Sequence, residues 1–341
     1  MATVNYADAY QQAIQQAFYD GHLFSAPLWN SPSNGAIKFD GAKHIKVPRL
    51  TIDEGRRDRS RRMITQPSAN YSNDWDSYEL KNERYWSTLV DPSDVDESNM
   101  VISIANITKQ FNLDEKMPEM DREMFSKLYQ QKVAAADGGL HTDTLDEKNI
   151  LTAFDDMMVN FDEARIPQQN RVLYITPKNN AKLKRAEALN RELNLKDPNN
   201  IQRTVYSLDD VAISVVPSDL MQTAFDFTVG SKAVDDAKQI EMFLIYNGVQ
   251  IAPQKYSFVG FDAPTAGNSG NYLYYEQSYD DVLLLKTKTA GIEFVTSDKT
   301  VSKLAKPTDT NTVDEIKAYL DQEGITYEAG AVKADLLALV K

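Results

Sequence analysis

Residues 36–66 read AIKFDGAKHIKVPRLTIDEGRRDRSRRMITQ and hold nine Lys or Arg against four acids, a surplus of five positive charges. Ile37, Phe39, Ile45 and Val47 fall at odd positions, the two-residue period of a half-buried strand, and after Pro48 the apolar phase shifts to Leu50 and Ile52. A second extended, aromatic-rich run follows at Trp75, Tyr78, Leu80, Tyr85, Trp86, Leu89 and Val90. Between the two lies a long polar segment, residues 53–73, containing Arg56, Arg57, Arg59, Arg61 and Arg62. Two extended limbs joined in this way predict a hairpin-like projection. A connection of that length without a core of its own is usually functional or mobile.

The rest of the chain has the opposite sign. The net charge is −13, so the 310 residues outside this window carry −18. The arginine cluster admits three readings: a solvated loop, a phosphate-binding loop, or a bridge to carboxylates on a neighbouring subunit. An acidic body is a poor general binder of nucleic acid. No aromatic residue lies between Asp53 and Asn70, so a base-stacking platform is missing. The charge split favours bridging, since guanidinium forks pair well with carboxylates. Arg56, Arg57, Arg59, Arg61 and Arg62, with Trp75 and Tyr78, are the candidate inter-subunit contacts.

Composition bounds the remaining possibilities. The chain has 341 residues, 42% hydrophobic, 26% charged and 10% aromatic, which is ordinary globular composition and excludes wholesale disorder. It contains no cysteine, so disulfide scaffolds, thiolate zinc sites, iron–sulfur clusters and cysteine nucleophiles are excluded. No apolar run approaches the roughly 18 residues of a membrane span, and the opening residues lack a signal pattern. Synthesis and folding in a reducing cytosol, away from any membrane, are expected.

Outward from the hairpin, residues 6–34 read as a weakly amphipathic arm. Tyr10, Ala13, Ile14, Ala17 and Phe18 recur at helical spacing and Gly21 ends the pattern. Asp91-Pro92 opens a helix, with Val101, Ile104, Ala105, Thr108 and Phe111 on one face. Pro118 is expected to start a second helix, with Met117, Met120, Met124 and Leu128 packed inward as plain core, ending before Gly138-Gly139. The middle third reads as α/β. Helices are expected from Ile150 to Phe161 and from Pro177 to about Leu193. Strands are expected at 171–175, 211–216, 240–246, 272–275, 281–288 and 292–295. Residues 303–311 have linker composition. Thr312-Val-Asp-Glu315 is then a capping box, with Val313, Ile316 and Leu320 on one face, Gly324 as a stop, and a second helix carrying Leu336, Leu337, Leu339 and Val340.

No catalytic constellation emerges. His22, His44 and His141 are not at metal-ligand spacing, and no phosphate-binding glycine loop is present. Gly267-Asn-Ser-Gly270 is a loop tip, not a nucleophile elbow. The adjacent acids Asp155-Asp156, Asp235-Asp236 and Asp280-Asp281 read as solvated surface. The acidic run 91–97 lacks the glycine and terminal glutamate of a calcium loop. Neither enzyme activity nor a cofactor or metal is expected.

The order of these parts resembles the major capsid proteins of tailed bacteriophages, those with the Hong Kong 97-type capsid fold, over roughly residues 1–298. An arm is followed by a basic hairpin, the E-loop, and after Asp91-Pro92-Ser93-Asp94 by a long helix. Residues 163–177, EARIPQQNRVLYITP, look like the family's entry into its axial domain, and 279–286 with 290–295, YDDVLLLK and AGIEFV, like its closing peripheral strands. The resemblance implies an α+β fold. Its parts would be an N-terminal arm (1–35), an E-loop (36–90) and a peripheral domain with a spine helix (91–145). An axial α/β domain (146–280), peripheral return strands (281–298) and a linker (299–311) would follow. Residues 312–341 are similar to helix–extended loop–helix modules of the HeH/LEM/SAP type. Their balance of six acids and three lysines speaks against the DNA binding of some relatives and for an accessory role.

The function so implied is a structural subunit that self-assembles into hexamers and pentamers of an icosahedral head around double-stranded DNA, which it encloses without sequence specificity. The virion is its expected location, with the host cytoplasm during assembly. No long charged helical extension precedes the arm, so a separate scaffolding protein is implied. A portal would be a further partner, and a decoration protein is compatible with the family. The alternative reading is a cytosolic α/β enzyme or binding protein with a basic loop and an accessory C-terminal module.

Overall fold

The computed structural model describes residues 22–41, 43–53, 69–97, 104–186 and 211–300, with residues 55, 56, 58, 61, 62, 207, 208, 313, 316, 333 and 337 placed individually. The expected arm helix, Val101, the end of the helix toward Leu193, Arg57, Arg59, the linker and most of the tail lie outside the described residues. In the tail, Val313, Ile316, Lys333 and Leu337 are helical, and Ile316 is fully buried.

The centre is a six-stranded mixed sheet in the order Leu140–Thr142, Ile292–Thr300, Lys238–Tyr246, Arg171–Ile175, Val211–Val215, Ser207–Leu208. Strand Lys238–Tyr246 runs antiparallel to both neighbours, while Arg171–Ile175 is parallel to Val211–Val215. Both faces of the central strand Lys238–Tyr246 are covered, which is why it reads as the continuous apolar run Met242-Phe-Leu-Ile245. Phe243 and Ile245 face the core beneath the long helix Met117–Ala135, together with Met124, Phe125, Leu128, Tyr174 and Phe294. Met242 and Leu244 face the opposite core, roofed by helices Ile150–Glu163 and Pro177–Arg185. Ile240 lies on the same side as Phe243 although it shares the parity of Met242, because a register shift between Ile240 and Met242 inserts one residue and flips the phase. On the helix-covered side Tyr174, Phe243 and Phe294 stack in series, with centroids 4.8 and 5.1 Å apart.

Arg171 explains the polar run that precedes its strand. Its buried guanidinium donates to the carbonyls of Pro167 and Ile166 (3.0 and 2.6 Å) and to Asp162 Oδ1 (2.6 Å), locking the end of one helix to the start of a strand.

The two expected helices are one helical run. Ile104–Phe111 passes through a π turn, Asn112–Lys116, into Met117–Ala135. Pro118 lacks the N–H that would reach residue 114 in an α-helix, and the wider turn, in which Met117 N–H donates to Asn112 O, carries the helix past that gap. The run ends at Ala136 in left-handed conformation (φ 51°) ahead of Gly138-Gly139.

Three expectations are corrected. The second extended limb is two strands, Tyr71–Glu79 and Asn82–Val90, which belong to different sheets. A strand absent from the sequence reading, Gln254–Asp262, pairs with Tyr272–Asp280, which in turn pairs with Asn82–Val90. Strand Ile292–Thr300 lies within the central sheet, between Leu140–Thr142 and Lys238–Tyr246. Of the strand expected at 281–288, Leu283–Leu284 forms, paired with Gln250–Ile251.

Candidate interaction surface

Strand His44–Ile52 pairs antiparallel with Tyr71–Glu79 from His44–Glu79 at the base to Ile52–Tyr71 at the outer end, and Lys38–Asp40 adds a short third strand near the base. The base is anchored by a small core of Ile45, Leu80, Ile251, Tyr279 and Leu285. Beyond it the two faces differ. One carries Arg49 opposite Asp74 (3.2 Å) with Asp76 at 4.0 Å. The other carries Pro48 opposite Trp75, then Leu50, then Ile52 opposite Tyr71. Leu50 and Ile52 are each 69% exposed and Tyr71 66%, so this apolar stripe covers nothing among the described residues. Near the base Lys46 holds Asp40 at 2.5 Å, and that contact keeps the Asp40 carboxyl below the usual carboxylate range.

The predicted contact residues separate in space. Arg56, Arg61 and Arg62 are exposed in the connection beyond the strands, and Arg57 and Arg59 fall outside the described residues. Trp75 lies on the apolar stripe, half-exposed, with Lys38 Nζ 5.6 Å from its ring centre. Tyr78 instead turns to its own body: its hydroxyl accepts from Lys286 N–H (3.2 Å), and Lys286 Nζ lies 5.3 Å over the ring. Burial pushes the Tyr78 phenol up.

A second exposed apolar face escaped the sequence reading. The three-stranded sheet of Gln254–Asp262, Tyr272–Asp280 and Asn82–Val90 turns one face to the helix. There Trp86 stacks on Phe111, Lys116 pairs with Glu276 (3.0 Å), and Arg84 makes a two-point contact with Glu119 (2.8 and 3.0 Å). Arg84 also donates to the carbonyl of Phe227. The outward face aligns Tyr85, Leu89, Tyr256, Phe258 and Tyr275, of which Tyr85 is 73% and Leu89 59% exposed. The available signal was the strand-favouring composition of Tyr256, Phe258, Val259 and Phe261.

Hairpin and outer sheet meet at a buried polar joint. Asp281 accepts Lys81 N–H (2.7 Å), and Lys127 Nζ bridges Asp281 (2.5 Å) and Glu123 (2.7 Å), which also accepts Asn82 Nδ2 (2.7 Å). Burial, working against the pull of Lys127, pushes the Glu123 carboxyl up to about 7, and burial likewise raises Asp280. Burial works to lower Lys127, but Glu123 and Asp281 outweigh it and raise its pKa. Asp280-Asp281, expected to be solvated, is thus part of a structural joint.

Elsewhere His141 Nε2 meets Glu293 at 3.1 Å, and that hydrogen bond raises the imidazole pKa. Among the described residues no group of three His, Cys, Asp or Glu is placed to hold a metal ion, and no helix is long and apolar enough to cross a membrane.

No family model matches the sequence. A 46-residue stretch, 14% of this chain, is 59% identical to the large ribosomal subunit protein bL20 of Oenococcus oeni, and the match spans 24% of that protein's length. Two solved structures align over most of the chain. The mature capsid of bacteriophage PhiM1 matches with a TM-score of 0.57 at 12% identity, covering 76% of this chain and 83% of that one. The capsid of cyanophage P-SCSP1u matches with a TM-score of 0.58 at 10% identity, covering 77% and 85%. The chain therefore has the fold of phage capsid proteins.

Proposed function

We infer that this protein is the major capsid protein of a tailed bacteriophage with the Hong Kong 97-type fold, structural and not catalytic in role. Copies assemble as hexamers and pentamers into an icosahedral shell around double-stranded DNA, with a separate scaffolding protein and a portal. The observation that carries this reading, beside the fold, is the pair of exposed apolar β faces. A stripe of Leu50, Ile52, Tyr71 and Trp75 on a projecting hairpin and a sheet face of Tyr85, Leu89, Tyr256 and Phe258 are exposed apolar clusters of the kind that mark protein–protein contacts. In a shell the hairpin of one copy covers the outer sheet of the next. The arginines beyond the stripe meet acidic side chains of the neighbour, and the net negative remainder gives DNA no wall to adhere to. The 312–341 module is an accessory appended to the shell domain.

The test is sedimentation velocity of the purified chain at low and high salt, with negative-stain microscopy of fast species, alone and co-expressed with a cognate scaffolding protein. Shells, tubes or hexameric rings are the expected result. A monomer or small closed oligomer under every condition overturns the proposal and returns the alternative of a cytosolic α/β protein.

A further inference from the structure

The central sheet is incompletely covered on one side. The long helix Met117–Ala135 roofs Phe243 and Phe294, and the chain at 23–30 adds Leu28 to the same core. Past that segment, over strands Arg171–Ile175 and Val211–Val215, an open groove of about 480 Å3 remains. Its floor includes Val172, Tyr174, Ala212, Ile213 and Ser214. Val172 is paired with Ala212, and Tyr174 with Ser214, so these four side chains share one face of the sheet. Ala212 is exposed there. The Tyr174 side chain is buried, and its hydroxyl has no hydrogen-bond partner among the described residues. That hydroxyl is enclosed and the rest of the floor is mostly apolar, so the groove calls for an occupant with apolar bulk.

We propose that this groove is the seat of the chain's own N-terminal arm, residues 6–20, docked as a helix across strands 171–175 and 211–215. The chain itself supports that choice. His22 lines the groove, so the arm leaves from its rim and is tethered there at high effective concentration. The arm's apolar residues, Tyr10, Ala13, Ile14, Ala17 and Phe18, form a single stripe, with the glutamines at 11, 12, 15 and 16 on the other side. Ala13 and Ala17 let a helix approach a sheet closely, while Ile14 and Phe18 supply bulk to fill the groove. A helix of this length is marginal alone in water and needs such a surface. The proposal stands whether or not the chain builds shells.

The test places a photoreactive phenylalanine analogue at Phe18 in the full-length chain and maps adducts by mass spectrometry in a mixture of light and heavy-isotope protein. Adducts within one chain on residues 171–175 or 211–215 are expected. Adducts that join light to heavy chains show that a neighbour's arm fills the groove and overturn docking in cis. Adducts elsewhere, or none, overturn the site. A second variant checks the result: Ala212→Arg, at an exposed position, is expected to leave the body folded, with an unchanged circular dichroism spectrum. The same variant is expected to speed chymotryptic cleavage at Phe18 and Tyr19 at least tenfold, by expelling the arm. Cleavage as slow as in the unmodified chain overturns the proposal.

Discussion

The Trp86 indole lies flat on the Phe111 ring, with centroids 3.9 Å apart and planes 8° from parallel. This contact joins the outer sheet to the helical run at the point where the run enters its π turn. Tyr85, next in sequence, points the opposite way and is 73% exposed. Trp86→Ala is therefore expected to cost roughly 2–3 kcal/mol of stability, and Tyr85→Ala under about 1 kcal/mol. Urea denaturation of the unassembled protein followed by circular dichroism measures both. Equal losses would mean that the outward face, too, is packed within the monomer.

The joint around Lys127 makes stability depend on pH in a way the sequence does not suggest. Burial lifts Glu123 to about 7 from an ordinary 4.5, so between those values the folded chain holds a proton that the unfolded chain releases. The contribution of Glu123 is thus largest below about pH 4.5 and is lost as the pH rises through 7. Lys127 stays charged throughout, and Asp280 and Asp281 remain in the variant. Glu123→Gln removes this titration. Its stability relative to the unmodified protein is expected to improve between about pH 5 and pH 8, by on the order of 2 kcal/mol. Parallel urea profiles at the two pH values would show that Glu123 stays ionised in the folded state.

What the sequence made legible was local. The apolar run at 242–245, the helical face of Met124 and Leu128, and the two-residue period of Ile45 and Val47 each report one element's own environment. The misreadings depend on partners remote in sequence. The break between Glu79 and Asn82 is fixed by Asp281, 200 residues from Lys81. Strand Gln254–Asp262 has Ser257, Val259 and Phe261 on one face and Tyr256 and Phe258 on the other, so it shows little alternation until Tyr272–Asp280 is paired with it. The candidate contacts were legible as charge, through the arginines. Leu50 and Ile52 read as strand residues, and their exposure depends on what the fold brings near them, which their own spacing does not encode.

The C-terminal module gives a separable prediction. Residues 303–311 have linker composition, and among the described residues the main cores contain none beyond Val295. Truncation after Lys306 is expected to leave both the folded body and shell formation intact, as seen by negative-stain microscopy of the truncated chain. Loss of particles with a folded monomer would make the module part of the shell.

The hairpin allows the apolar and ionic parts of a subunit contact to be weighed against each other. Leu50→Ser with Ile52→Ser removes two side chains that are each 69% exposed, so the monomer's stability is expected to change by under about 1 kcal/mol while assembly is lost at every salt concentration. Arg57→Glu, Arg59→Glu and Arg61→Glu together reverse charge without touching the stripe. They are expected to block assembly most strongly at low salt, where repulsion of an acidic neighbour is least screened, and to regain part of it as salt rises. Sedimentation velocity across a salt series reads both variants. If the arginine variant assembles normally at low salt, those side chains are solvated and the apolar stripe alone carries the contact. If the serine variant assembles normally, the stripe is bare in the shell as well, and the subunit contact lies elsewhere.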